Sequence, residues 1–350
     1  MGKDGQKDSM KQEYLIDKDV EAFLKWEGRI LKKPGICYLG YTNSSVSMQV
    51  KGTALYMHLV TGENEEVNRP GLRVYVDGEK ASEIVLEKED DWYLVCELDG
   101  EDTHEVRIVK ITEAAMSYVG ITGIKVCAGQ LLVQEKREDT RTRVEFIGDS
   151  ITCGYGVHGA PESEYTIREE DGECCYAAFM AQKMNWNARW ISASGYGMFV
   201  EYTGNPENNV PKLYPYVNWF VDPEEKIEER EFEPDYIFVN LGTNDSGHLH
   251  KEDILKGFLD AYESFLKLLR QMHPEAVIIC VLGTVCENVF PYVEQVVEKL
   301  KENGMDKLYA FELPYHNVEL DGQASNHPSI ITHQKDAERI LKFMKDENLL

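Results

Sequence analysis

Four short stretches carry residues whose types and spacing suit acyl transfer: Gly148-Asp149-Ser150, Ser194-Gly195-Tyr196-Gly197, Gly242-Thr243-Asn244-Asp245 and His327-Pro328. A hydrolytic serine needs a base to take its proton and donors to hold the charge that develops on the carbonyl oxygen. Ser150 offers the hydroxyl and His327 the base. The N–H groups of Ser150 and Gly195, with the Asn244 side-chain amide, offer the donors; Gly197 lies in the same turn and could take the place of Gly195. Each stretch alone has an ordinary reading. Gly148-Asp149-Ser150 reads as a βα turn whose Asp or Ser caps the next helix, and Asn244 as a turn residue bonding its own backbone. The stretch is not the Gly-x-Ser-x-Gly elbow.

The elements around these stretches bring them to one edge. Short apolar runs predict strands at 144–148, 188–193, 235–241, 276–282 and 307–311, and amphipathic periodicity predicts helices at 174–184, 252–272, 289–303 and 329–346. The run 235–241 is apolar almost throughout, as a parallel strand buried on both faces should be. Strands alternating with helices imply a three-layer α/β domain, a parallel sheet flanked by helices. Ser150, Gly195 and Asn244 then follow strand ends, where open α/β sheets bind ligands. Upstream the pattern changes. From Trp26 to Val133 short strand-like pieces such as 45–50, 54–60, 72–76 and 105–109 are separated by turn signals including Asp77-Gly78 and Asp99-Gly100. This predicts an all-β sandwich of the jelly-roll kind. The domains expected are a polar lead-in over 1–20, a β-sandwich over 21–137 and an α/β domain over 138–350, with charged residues 134–143 as the linker.

Composition narrows the partners. A net charge of −25 opposes nucleic acid, which needs a basic surface, and anionic membranes alike. No apolar run approaches a membrane span. Residues 1–10 lack the apolar core of a signal peptide, which makes the cytoplasm the expected location. The eight cysteines have no Cys-x-x-Cys spacing and read as reduced core fillers.

Taken together, the four stretches resemble the sequence blocks of the SGNH (GDSL) hydrolase superfamily over residues 143–348. A narrower resemblance is to carbohydrate esterase family 2, which joins an N-terminal jelly roll to an SGNH domain. It rests on Gly148–Gly156, Ser194–Gly197, Leu213-Tyr214-Pro215, His327-Pro328-Ser329 with His333-Gln334-Lys335, and Lys110-Ile111-Thr112-Glu113 in the β domain. The resemblance implies that Ser150 is the nucleophile and His327 the general base and acid. Ser150 N–H, Gly195 N–H and the Asn244 amide would form the oxyanion hole. The implied activity is removal of O-acetyl groups from xylan- or glucomannan-type polysaccharides or their oligosaccharides through an acetyl-enzyme, with no metal or organic cofactor. One position departs from the superfamily: the Asp expected two or three residues before the histidine is replaced by Ser325 and Ala324. The chain therefore reads as a Ser–His dyad with a backbone carbonyl in place of the carboxylate, Asp321 being the nearest acid that could substitute. Asn326 stands where the family often has an aromatic residue.

Tyr196, Tyr202 and Tyr214, on long loops near this edge, are candidates for stacking on a sugar face. Asp149 and Asp245 read as loop braces and His333 as a structural helix residue. His248-Leu249-His250 lacks a third metal ligand. Two other functions fit the same residues: an acyl-thioesterase or lipase of the superfamily, and an inactive glycan-binding protein. The sugar, the deacetylated position and the oligomeric state are not legible in the sequence.

Overall fold

Alternation of apolar and polar residues builds the N-terminal half. In Ala54–Val60, Leu55, Met57 and Leu59 point inward, and in Ser45–Lys51, Val46, Met48 and Val50 do the same. They meet Val106, Ile108, Ile121 and Ile124 between two six-stranded antiparallel sheets, the sandwich expected from the sequence. The computed structural model describes residues 11–62, 65–135, 138–162, 166–228 and 232–350. The sandwich begins earlier than residue 21. Lys11–Leu15 pairs antiparallel with Val119–Cys127, and Ile16 and Val20 are buried behind it. This edge strand exposes most of its polar side chains, so it left no alternating signature to read. Residues 1–10 of the expected lead-in lie outside the described residues.

The C-terminal half is a five-stranded parallel sheet in the order Asn187–Ser192, Arg143–Gly148, Tyr236–Asn240, Val277–Leu282, Leu308–Glu312. Both faces are apolar. Ile147, Val239, Ile278 and Cys280 pack under helices Glu252–Met272 and Phe290–Glu302, while Phe146, Phe238, Ile279 and Val281 pack under Tyr176–Met184 and Ile330–Asp346. The first strand in sequence lies between the second and third, so the chain reverses direction there and opens a crevice at the strands' C-terminal ends.

The two halves share buried polar contacts. Arg29 of the sandwich donates to the Tyr214 carbonyl at 2.6 Å and meets Glu145 at 3.3 Å. Arg73 bonds both carboxylate oxygens of Asp171, at 3.1 and 2.7 Å, and reaches Glu173 at 3.0 Å.

Candidate active site

Strand Arg143–Gly148 delivers the serine. Its last residue must be glycine, because a Cβ at 148 would come within 2.1 Å of Thr152 Oγ1. Asp149 caps the short helix Ser150–Cys153, its Oδ1 accepting the Ile151 N–H at 3.1 Å. The cap is thus Asp149 and not Ser150, whose hydroxyl is left to turn to the crevice. Burial pushes the Asp149 carboxyl up to about 7, Asp245 adding to the rise and the Ile151 N–H opposing it.

His327 arrives on a hairpin. Gln323–Ala324 pairs with His327–Pro328 through a two-residue turn in which Ser325 and Asn326 have φ of 46° and 57°. Positive φ at both central positions is the hairpin turn that matches strand twist, and Asn tolerates it well. Asn326, which departs from the aromatic residue of the resemblance, thus serves the turn. Ser325 N–H and Asn326 N–H donate to the carbonyls of Ala160 and Pro161 at 2.9 and 3.1 Å, pinning the hairpin to the loop beyond Ser150.

The imidazole Nε2 lies 2.9 Å from Ser150 Oγ, and Nδ1 lies 3.0 Å from the Ser325 carbonyl oxygen. A carbonyl only accepts, so Nδ1 carries the hydrogen and Nε2 keeps the lone pair that faces the serine. Tyr155 covers the ring, with centroids 4.3 Å apart. Burial lowers the His327 pKa below the usual histidine value, the Ser325 carbonyl opposing that shift and His316 adding to it. Asp321 is not a partner of His327: its carboxylate pairs with Lys335, and its carbonyl accepts the Ser329 hydroxyl at 2.7 Å.

The residues expected as donors follow the two strands that flank Arg143–Gly148. Ala193–Tyr196 closes with Tyr196 N–H on the Ala193 carbonyl at 3.3 Å, and Gly195 in third place has φ +80°. Ser194 has no positive φ, so this is a type II turn, which glycine at that place makes possible. Asn244 Nδ2 donates to the Tyr196 carbonyl at 2.9 Å and lies 3.5 Å from Asp149 Oδ2. Asp245 braces the adjoining loop, Oδ2 taking Met198 N–H at 2.8 Å and Oδ1 taking Phe199 and Val200 N–H at 2.9 Å each. Gly197 belongs to this packed part, since a Cβ there would meet the Val200 carbonyl at 2.0 Å. Strand ends 143–148, 187–192 and 236–240 thus bring Ser150, Gly195 and Asn244 to one crevice, and the hairpin brings His327.

A signature described as Carbohydrate esterase 2 N-terminal matches residues 26–135, and one described as GDSL-like Lipase/Acylhydrolase family matches residues 146–306. The fold across both halves matches a solved family two carbohydrate esterase from Clostridium thermocellum, in complex with cellohexaose: TM-score 0.84, 27% identity, 93% of this chain and 98% of that one. The chain belongs to the family 2 carbohydrate esterases, within the SGNH hydrolases. Among curated proteins this family 2 chain is 32% identical over 259 residues to the cellulase/esterase CelE of Acetivibrio thermocellus, covering 71% of this chain and 30% of that protein. It is 27% identical over 183 residues to an acetylxylan esterase / glucomannan deacetylase of Cellvibrio japonicus, covering 49% of each. The chain thus spans less than half the length of either curated relative.

The three tyrosines singled out in this family 2 chain have different fates. Tyr202 is 69% exposed and lies against the Gly195 turn: its N–H bonds the Gly195 carbonyl at 3.0 Å, and a Cβ on Gly195 would come 3.0 Å from its ring. Tyr196 is half-buried, its ring packed edge-on to Phe220. Tyr214 is a correction. It is fully buried, donating its hydroxyl to Glu145 Oε2 at 2.6 Å and lying 2.9 Å from His273 Nε2, with Arg29 over its ring. It cannot touch a sugar.

His333 is buried in helix Ile330–Asp346, where its Nδ1 accepts the Tyr176 N–H at 3.2 Å. His248 bonds the Tyr202 carbonyl at 3.0 Å. Two groups of the kind that hold metals occur among the described residues, His158–Asp171–Cys174 and Glu113–Cys153–Glu170. Arg73 already bonds Asp171 in the first, and the buried Lys110 ammonium faces Glu113 and Glu170 in the second, so a side-chain cation balances each. Two site residues escaped sequence reasoning. Tyr155 sits in the Gly154–Gly156 loop after Ser150, a spacing that could have flagged it. For Glu113 the only sequence signal was its place in Lys110–Glu113.

Proposed function

We propose that the chain is a carbohydrate O-acetyl esterase. The observation that carries this reading is the Ser150 Oγ to His327 Nε2 bond of 2.9 Å beside the Gly195 turn and Asn244. Ser150 Oγ attacks the acetyl carbonyl carbon as its proton passes to Nε2. The carbonyl electrons move onto oxygen, where Ser150 N–H, Gly195 N–H and the Asn244 amide stabilise the anion. Collapse expels the sugar alkoxide, which takes the proton from His327 and leaves acetyl on Ser150. Water, deprotonated by the same Nε2, repeats the attack and releases acetate. The Ser325 carbonyl holds the imidazole in the tautomer both halves require.

The named activity of the Cellvibrio japonicus relative supports acetyl as the acyl group and xylan- or glucomannan-type sugars as its carriers, and that of the Acetivibrio thermocellus relative supports an esterase. Tyr202, exposed beside the oxyanion turn, offers the ring on which a sugar would stack. Acetate release from acetylated xylo- and manno-oligosaccharides, measured against esters of longer acyl chains, tests the assignment. Turnover confined to the longer acyl esters would instead make the chain a lipase or thioesterase.

A further inference from the structure

Glu113 belongs to the sandwich, just past strand His104–Lys110, yet it ends beneath the oxyanion turn. Its Oε2 accepts the Ser194 N–H at 2.7 Å. The residue is fully buried, and Oε1 has no hydrogen-bond partner among the described residues. The Cys153 thiol lies 3.8 Å from Oε2, and the Ser194 hydroxyl stands beside the carboxylate as well. The carboxylate is thus carried out of water chiefly for Ser194, whose backbone N–H it takes in the Ala193–Tyr196 turn. Its own backbone is equally fixed. The buried Lys110 ammonium donates to the carbonyls of Thr112 and Glu113 at 2.6 and 2.7 Å, wrapping residues 110–113 around a charge that balances the carboxylate.

Type I and type II turns differ by a flip of the central peptide, here Ser194–Gly195. The flip would replace the Gly195 N–H at the crevice with the Ser194 carbonyl, turning a donor into a repelling acceptor. We propose that Glu113 is a positioning residue of the esterase, holding Ser194 so that the Gly195 N–H keeps its oxyanion-facing direction. The sandwich domain then contributes to turnover without touching substrate. This rests on the esterase reading above.

The test compares Glu113→Ala, Glu113→Gln, Glu113→Asp and the double variant Glu113→Ala/Ser194→Pro, each checked for folding by thermal melting. The glutamine oxygen still accepts the Ser194 N–H, whereas aspartate keeps the charge but falls short by one methylene. Proline at the second place of a type II turn fixes φ without needing the carboxylate. Loss of one oxyanion donor costs about 10²–10³ in kcat, so a turn that flips part of the time should cost about 10- to 100-fold. Glu113→Ala and Glu113→Asp should lose that much kcat with KM nearly unchanged, Glu113→Gln should stay near wild type, and the proline should restore most of the loss. A folded Glu113→Ala enzyme with wild-type kcat would overturn the inference, as would a double variant no better than Glu113→Ala. If Glu113→Ala does not fold, equal kcat in the Asp and Gln variants overturns it. A wild type that releases no acetate fails the esterase reading itself, and the inference with it.

Discussion

His327 Nδ1 lies 3.0 Å from the carbonyl oxygen of Ser325, two residues back in the same hairpin. A backbone dipole therefore takes the place that a carboxylate fills in a Ser-His-Asp triad. It fixes the tautomer but brings no full charge to the imidazole.

Asp321 should accordingly be dispensable for catalysis. In a triad, loss of the acid costs about 10⁴-fold in kcat. Asp321→Asn removes only the Lys335 pair and should lower kcat less than about threefold, a change measurable in steady-state kinetics. A loss of 10³-fold or more would reinstate Asp321 as the third member.

The pH profile follows from the same bond. His327 must be neutral to accept the serine proton, and burial depresses its pKa below the usual 6.5. Activity is full above that depressed value and is lost as pH falls through it. The acidic limb of kcat/KM should have its midpoint below 6.5. A midpoint above 6.5 would indicate an anionic partner.

Tyr202 and Tyr214 separate binding from stability. Tyr202→Ala removes an exposed ring beside Gly195 and should raise KM on oligosaccharide about three- to tenfold with little change in kcat. Tyr214→Phe should leave KM alone and lower stability by about 1–3 kcal/mol, because Glu145 and His273 lose a buried partner. Thermal melts and saturation curves on both variants distinguish the two roles.

His333 makes the fold acid-sensitive. Burial holds its pKa down to about 3, and its Nδ1 must stay an acceptor for Tyr176 N–H. The unfolded chain binds a proton there below the usual histidine value of 6.5, while the folded chain does not. Its contribution is therefore intact above pH 6.5 and lost progressively as pH falls from 6.5 toward 3, by at most about 1.4 kcal/mol per pH unit. His333→Gln, which accepts without titrating, should flatten the fall of melting temperature between pH 6.5 and 4. An unchanged slope would assign the acid sensitivity elsewhere.

Much of this was legible because parallel strands buried on both faces announce themselves as apolar runs. Tyr236–Asn240 and helix Glu252–Met272 fall where those patterns put them. Ser150, Gly195, Asn244 and His327 were legible as short blocks at strand ends and in the last loop. What was not legible depends on contacts between residues remote in sequence. Tyr214 looked like a loop aromatic because its partner Arg29 lies 185 residues away. Glu113 and Ser194 are 81 residues apart, and no local pattern couples a sandwich carboxylate to a turn in the other domain.

Acetate release from acetylated xylo- and manno-oligosaccharides by the wild type, Ser150→Ala and His327→Ala tests the central claim most directly. The account predicts an active wild type, with both variants reduced by at least about 10⁴-fold while still folded. An inert wild type, or a Ser150→Ala variant that still turns over, would contradict it.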